Sequence, residues 1–281
     1  MKHTQVYRFS GQKGFDKVIT AENSALKHLG FSRILLDAGE KLDYVVDCEE
    51  IAIVLQEGDF RASVEWKNES VFVDICGERK SVFDEKPYTI YLPPGSRIVL
   101  ESNRGMEARV FSAPCDEGNP PFFCRPDDVE EGIPGALNWR RKYRYVFGPP
   151  GKKNDHVTKK LIVGESVSVP GGWIGFPAHK HDLNNEHEYP LDEIFSFKVR
   201  GPQGAYIIQQ SYGLDERWDE INVIDGDDFA IALIDGYHTS MAVPGCTEYL
   251  LWGLAGDAKN YKIQYDERFA WLGEAESLFT F

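Results

Sequence analysis

The sequence predicts an all-β protein built from two β-sandwich or jelly-roll barrels in one chain. Short apolar or alternating runs recur along both halves, and Gly, Pro, Asp and Asn interrupt them at intervals typical of strands joined by turns. Long stretches with the 3.6-residue periodicity of a helix are nearly absent. The two halves also look alike, because each ends with a Gly- or Pro-marked turn followed by a strand.

The candidate strands fall into two groups. Those of the first half are Ser32–Leu36, Ile51–Leu55, Ser70–Ile75, Tyr88–Leu92, Ile98–Leu100 and Ala108–Ser112. Those of the second half are Lys160–Val169, Glu193–Val199, Ala205–Gln210, Asp228–Leu233 and Glu248–Leu254. Residues 113–150 between them are rich in Pro, Gly and charge. We therefore predict an N-terminal barrel over residues 1–115, an inter-domain connection over 116–155 and a C-terminal barrel over 156–281.

The amino-acid composition limits the binding partners and the cellular compartment that can be expected. The net charge of −14 repels nucleic acid and anionic membrane, so neither is an expected partner. The five cysteines are scattered without a Cys-x-x-Cys pair, which argues against a disulfide framework and a thiolate zinc site. No signal-peptide core and no run of eighteen apolar residues occurs. The expected location is the cytoplasm.

The most informative motif is His179-Lys180-His181. Histidines at i and i+2 of an extended segment project to the same face, roughly 6–7 Å apart. Neutral imidazole is the commonest metal ligand, and only seven histidines occur in the chain. His238 follows a tight turn further on, where it can reach the barrel mouth. A histidine pair can also face solvent or be held by hydrogen bonds, but the flanking Pro and Gly residues and the following acid favour a metal site.

The fourth ligand of such a site would be a carboxylate, and two candidates compete. Glu193 opens a strand on which it shares a face with Phe195 and Phe197, and a charged residue heading an apolar face requires a positive partner. Glu186 lies nearer to the histidines but in a loop. We favour Glu193, because a strand fixes geometry better than a loop does.

At this point a resemblance to a known family becomes clear. Pro177-Ala-His-Lys-His-Asp182, Leu191-Asp-Glu-Ile-Phe195 and Gly236-Tyr-His238 resemble, in order, the second half of the KduI/IolB family of bicupin isomerases, which includes 5-deoxy-glucuronate isomerase. Gly30-Phe-Ser-Arg-Ile-Leu-Leu36, Tyr91-Leu-Pro-Pro-Gly95 and Gly135-Ala-Leu-Asn-Trp-Arg-Arg141 are similar to signatures of its first half. The resemblance covers nearly the whole chain.

The resemblance implies two cupin barrels, of which only the second keeps a metal site. Carried over by position, its ligands are His179, His181, Glu193 and His238. The first barrel has no histidine between His28 and His156, so its site is expected to be degenerate. Ile234-Asp235 stand where the family usually has Pro-Arg, which leaves the exact sugar acid open.

The implied function is a metal-dependent aldose–ketose isomerase that converts 5-deoxy-D-glucuronate to 5-dehydro-2-deoxy-D-gluconate in myo-inositol catabolism. The alternatives are 4-deoxy-L-threo-5-hexosulose-uronate ketol-isomerase or another uronate isomerase, a cupin dioxygenase, and a non-catalytic sugar-binding protein. The expected cofactor is a divalent ion, zinc first, with Mn, Fe, Ni or Co also suited to His and Glu ligands.

The remaining roles have several candidates each. Glu186, His187, Tyr237 or a hydroxide on the metal are candidates for the general base. Arg140 and Arg141 are candidates for clamping a substrate carboxylate, with an inter-domain salt bridge as the alternative. Gln209 is a candidate substrate contact, with core packing as the alternative. Open barrel edges favour a homo-oligomer.

Overall fold

A computed structural model describes residues 2–215 and 217–279 of the chain. Its strands form three antiparallel sheets of nine, seven and five strands, which confirms the all-β prediction. The nine-stranded sheet forms the first barrel. The seven- and five-stranded sheets face each other and form the second.

The first barrel contains nine strands. They are β2 (Gly14–Ile19), β3 (Gly30–Leu36), β4 (Lys41–Val45), β5 (Glu49–Trp66), β6 (Glu69–Arg79), β7 (Thr89–Leu92), β8 (Ser96–Glu101), β9 (Met106–Pro114) and β10 (Phe122–Cys124). The 18-residue β5 pairs with β7 and β9 in its first half and with β6 and β8 in its second, so it belongs to both walls. The interior contains a cluster of apolar side chains that includes Ile53, Leu55, Ile98 and Val110.

The second barrel contains the other twelve strands. Its seven-stranded sheet has the order β1-β18-β15-β20-β13-β12-β11 and its five-stranded sheet the order β17-β16-β19-β14-β21. The strands are β1 (Thr4–Arg8), β11 (Glu130–Gly132), β12 (Arg141–Phe147), β13 (Ile162–Ser168), β14 (Trp173–Lys180), β15 (Asp192–Arg200), β16 (Ile207–Gly213), β17 (Trp218–Ile224), β18 (Phe229–Leu233), β19 (Tyr237–Ala242), β20 (Thr247–Ala255) and β21 (Gln264–Tyr265). Phe195, Phe197 and Leu250 are among the buried side chains of its core.

The strand pairing adds detail to the division predicted from sequence, which stays a prediction. β1, at the start of the chain, pairs with β18 in the second barrel. The stretch predicted as a connection, residues 116–155, contains β10, which pairs with β7 of the first barrel, and β11, which pairs with β12 of the second. These residues therefore extend both barrels instead of only linking them.

The seven-stranded sheet is buried on both faces. On β20, Leu250, Trp252 and Leu254 pack inside the second barrel, while Tyr249 and Leu251 belong to the apolar cluster shared with the first. A sheet covered on both faces carries nearly continuous apolar runs, as this strand does. The barrels also approach closely, since a Cβ at Gly253 would lie 2.4 Å from the ring of Phe111.

A buried ion network joins the barrels at the same interface. Arg79 of β6 forms two bonds with the Glu165 carboxylate of β13, at 2.7 and 2.8 Å, and both side chains are fully buried. Arg144 Nη1 and the Tyr249 hydroxyl reach the same carboxylate at 3.2 and 2.6 Å. These charge-assisted bonds are directional, so they fix how the first barrel sits on the second.

The last described element is the helix α1 (Trp271–Phe279), which packs through Leu272 against Trp139 and Ala136. In the described part of the chain, no helix combines the length and apolarity needed to cross a membrane.

Candidate metal centre

Four side chains converge at the mouth of the second barrel. His179, His181, Glu193 and His238 each offer a ligand atom, and these atoms all lie within 4.8 Å of one another. Oε2 of Glu193 is 3.0 Å from Nε2 of His181 and 2.9 Å from Nε2 of His238. Ligand atoms bonded at about 2.0–2.2 Å to one ion lie about 3 Å apart, so this spacing fits a single metal ion.

The topology explains why residues distant in sequence meet here. His179 on β14 is the direct cross-strand partner of His238 on β19, so the two rings stand side by side with centroids 4.7 Å apart. Glu193 opens β15 in the facing sheet and is directed across the barrel. The turn before His238 requires Gly236, which has φ +82° and whose Cβ would lie 2.5 Å from Trp218.

Backbone carbonyls orient two of the imidazole rings. Nδ1 of His181 is 2.9 Å from the Leu191 carbonyl, and Nδ1 of His238 is 3.1 Å from the Gly236 carbonyl. A proton on each Nδ1 leaves the Nε2 lone pair free for a metal, as in other histidine metal sites. Nε2 of His238 is buried, and although it lies 2.9 Å from Glu193 Oε2, the geometry fits no hydrogen bond to that oxygen or to any other described residue. An ion in the cluster would satisfy it.

The charge state of the cluster also suits a cation. Burial lowers the pKa of His179 well below its usual value, so this ring stays neutral. Burial alone would raise the pKa of Glu193, but the adjacent rings of His181 and His238 outweigh it and hold that pKa below the usual range. For His181, burial opposes protonation, but its bond to Glu193 leaves the pKa raised. A carboxylate among imidazoles is thus available for metal coordination.

A cavity of about 310 Å³ opens directly beside the cluster. His179 and Glu193 form part of its wall, together with Arg141 of β12. The guanidinium of Arg141 forms only two weak bonds, at 3.4 Å, to the carbonyls of Trp139 and Phe176, and within residues 2–215 and 217–279 no carboxylate forms an ion pair with it. Because a desolvated cation requires an anionic partner, this side chain is available for an anionic ligand.

Tyrosines make up much of the remaining wall, with Tyr145, Tyr261 and Tyr265 close to the cluster. Burial raises the pKa of Tyr145 to about 12 and that of Tyr261 well above its usual value. Their phenols therefore remain protonated near neutral pH and can donate hydrogen bonds to a polar ligand. These residues were missed in the sequence, because they come from separate elements and no motif joins them.

The other two predicted substrate contacts lie elsewhere. Arg140 donates to the carbonyl of Phe279 at 3.4 Å, at the end of α1, and does not line the cavity. Gln209 is buried inside the barrel, where its amide nitrogen donates to Ser211 Oγ and its oxygen accepts from Asn222, both at 2.8 Å. Ser211 of the same strand and Asn222 of the neighbouring β17 occupy the two ends of that amide, which corresponds to the core-packing alternative.

The three side chains predicted as candidate bases also lie outside the cavity beside the ligand cluster. Glu186 and His187 are exposed loop residues paired with each other at 3.0 Å. Tyr237 precedes His238 on one strand, and because successive side chains alternate, it points to the outer face and stacks on Tyr212. Asp235 also points away from the cavity and pairs with His3 at 2.6 Å.

Comparison with known proteins identifies the family of this chain. The sequence profile of the KduI/IolB family matches residues 4–272. The chain belongs to the KduI/IolB family. Among curated relatives of this KduI/IolB chain, the 5-deoxy-glucuronate isomerase of Geobacillus kaustophilus is 29% identical over 260 residues, covering 92% of this chain and 90% of that protein. The protein of the same name from Bacillus subtilis strain 168 is 25% identical and covers 91% and 92%.

Solved structures of two other proteins have a fold similar to that of this chain. The crystal structure of an IolB-like protein from Salmonella typhimurium LT2 superimposes with a TM-score of 0.84 at 26% identity, covering 97% of this chain and all of that one. Oxalate decarboxylase from Lactobacillus farciminis superimposes with a TM-score of 0.62 at 11% identity, covering 92% and 88%. The second likeness concerns the fold alone.

Proposed function

We propose that this protein is a metal-dependent aldose–ketose isomerase that converts 5-deoxy-D-glucuronate to 5-dehydro-2-deoxy-D-gluconate in myo-inositol catabolism. The observation that carries the proposal is the cluster of His179, His181, Glu193 and His238 beside a cavity that contains an unpaired arginine. Family membership and the names of the curated relatives support the same reaction.

The four ligands would hold the ion. Zinc is the metal we propose first, and Mn, Fe, Ni or Co also suit this donor set. A bound divalent ion supplies Lewis acidity for the negative charge that develops on the substrate oxygens when a proton leaves the adjacent carbon. Three neutral imidazoles and one carboxylate would leave that ion a net positive charge.

Arg141 would bind the carboxylate of the sugar acid. A guanidinium binds a carboxylate through two parallel hydrogen bonds, and this one lies in the wall that also contains His179 and Glu193. The substrate would then lie with its acid end at Arg141 and its carbonyl end at the ligand cluster. Tyr145 and Tyr261 would donate hydrogen bonds to the hydroxyl groups between these ends.

The wider assignments are proposals as well. All five cysteines are free thiols, which supports a reducing compartment such as the cytoplasm. We also propose a homo-oligomer, since β17 and β21 end the five-stranded sheet with open edges.

The test is a turnover assay with metal-replete protein. We expect ketose formation from 5-deoxy-D-glucuronate, loss of that activity with a chelator, and its return when the metal is restored. His238→Ala should lose bound metal and turnover together while it keeps the far-ultraviolet circular dichroism of a folded protein. Absence of turnover by the metal-loaded protein would refute this substrate. Turnover of 4-deoxy-L-threo-5-hexosulose uronate would assign the alternative one, and oxygen consumption would indicate a dioxygenase.

A further inference from the structure

Behind the metal centre, on the outer face of the five-stranded sheet, lies a group of charged side chains that binds no substrate in the proposal above. Lys180 stands between His179 and His181 and points away from them. Its Nζ lies 2.7 Å from Asp182 Oδ1 and 2.5 Å from Glu188 Oε1. Glu188 is fully buried and also accepts the backbone N–H of Asp182 at 2.9 Å.

The second carboxylate oxygen of Asp182 reaches a different part of the chain. Oδ2 accepts the backbone N–H of Gly236 at 3.1 Å, across 54 residues of sequence. The carbonyl of Gly236 in turn lies 3.1 Å from Nδ1 of His238. Asp182 therefore contacts the residue whose carbonyl orients the His238 ring, and it follows His181 directly in the chain.

We propose that Asp182 is a positioning residue of the metal centre. It holds Gly236 in place, so that the Gly236 carbonyl keeps the ring of His238 directed at the point where the four ligand atoms converge. Lys180 and Glu188 hold Asp182 in the orientation this bond requires. The inference rests on the metal centre proposed above but not on the identity of the sugar acid. Groups that hold a metal ligand through hydrogen bonds set its orientation, and their loss typically weakens metal binding about 10–100-fold.

His181 provides an internal control for this inference. Its Nδ1 is held by the Leu191 carbonyl at 2.9 Å, a bond in which Asp182 takes no part. Removal of the Asp182 carboxylate should therefore disturb His238 more than His181. A general loss of folding would disturb both rings equally.

The experiment measures zinc affinity by competition with a chelating dye, together with histidine ring N–H signals of the zinc-loaded protein by NMR. We expect Asp182→Ala to weaken zinc binding about 10–100-fold and to speed solvent exchange of the His238 Nδ1–H signal, while the His181 signal is unchanged. Asp182→Asn keeps an acceptor oxygen for Gly236. Its amide nitrogen no longer accepts from Lys180, but Lys180 keeps its bond to Glu188, so the loss should stay below about threefold. Asn184→Ala, an exposed change in the same loop, is the matched control and should match the wild type.

The outcomes separate this inference from the proposed function. Unchanged zinc affinity in Asp182→Ala would overturn the positioning role and leave the isomerase proposal intact. Equal losses in the alanine and asparagine variants, or equal changes at both rings, would also overturn it. If Asp182→Ala does not fold, the asparagine variant decides: a loss much larger than threefold overturns the hydrogen-bond account, and retained affinity with an unchanged His238 signal supports it. Wild-type protein that binds none of Zn, Mn, Fe, Ni or Co would refute both proposals.

Discussion

Glu248 gives the second barrel a buried carboxyl group that lacks a cationic partner. It lies on β20 with no exposed surface, and its Oε1 accepts a hydrogen bond from Ser240 Oγ at 2.5 Å. Its Oε2 is buried without a partner among the described residues. Burial raises the pKa of Glu248 to about 8, so the group is mostly protonated at neutral pH.

The raised pKa makes stability depend on pH in a predictable direction. Below about pH 4.5 the group is protonated in both the folded and the unfolded chain, so it contributes no pH dependence. Between that pH and about 8 the unfolded chain releases the proton and the folded chain keeps it, so the free energy of unfolding falls as pH rises. At about 1.4 kcal/mol for each pKa unit, the full loss is on the order of 5 kcal/mol.

We expect Glu248→Gln to remove this dependence, because glutamine has a similar shape and does not ionise. Urea unfolding at fixed metal loading from pH 4.5 to 8.5 should show the variant gaining stability relative to wild type by about 3–5 kcal/mol over that range. A constant offset from the buried amide cancels when the difference is followed against pH. Glu274→Gln, an exposed change on α1, should give a flat difference. A flat difference for Glu248→Gln as well would refute the reasoning.

Two further predictions concern arginines. Arg141→Met should raise KM for the sugar acid about 10–100-fold, because hydrogen bonds to a charged group contribute about 1.5–3 kcal/mol, whereas Arg140→Met should change KM far less. Equal effects in steady-state kinetics would contradict a carboxylate site at Arg141. Arg79→Met should lower the free energy of unfolding by roughly 3–5 kcal/mol, because it leaves Glu165 buried with part of its charge uncompensated. Arg200→Met removes the exposed ion pair with Asp84 and should cost less than about 1 kcal/mol by denaturant titration, and similar losses in both variants would count against the buried network.

The ligand cluster could be predicted from sequence because its signals are local. His179 and His181 are two residues apart on an extended segment, and Glu193 begins an apolar strand, so each position carries a recognisable pattern. His238 was recognisable through Gly236, which the turn requires. The structure brings these four side chains together as expected.

The cavity wall could not be predicted in the same way. Tyr265 comes next to His179 only because β21 pairs with β14, and this two-residue strand has no periodicity that a sequence can display. β1 was missed for a related reason, since its partner β18 lies more than two hundred residues away and no local pattern encodes that pairing. Tyr237 lies outside the cavity although it neighbours His238 in sequence, because successive side chains along a strand alternate between its faces.

Glu193 and the histidines of the metal centre stand on different sheets, and these sheets are supported differently. Glu193 stands on β15, which is paired on both sides and belongs to a sheet covered by the first barrel, so its backbone has little freedom. The histidines stand on the five-stranded sheet or directly beside it, and on its edge strand β17 Ile221 and Val223 are exposed. The charges of Lys180, Asp182 and Glu188 lie on the outer face of this sheet. The first barrel, whose own interior holds an apolar cluster, thus contributes to the site by fixing the sheet that carries Glu193. The positions of the histidines must instead be fixed by hydrogen bonds.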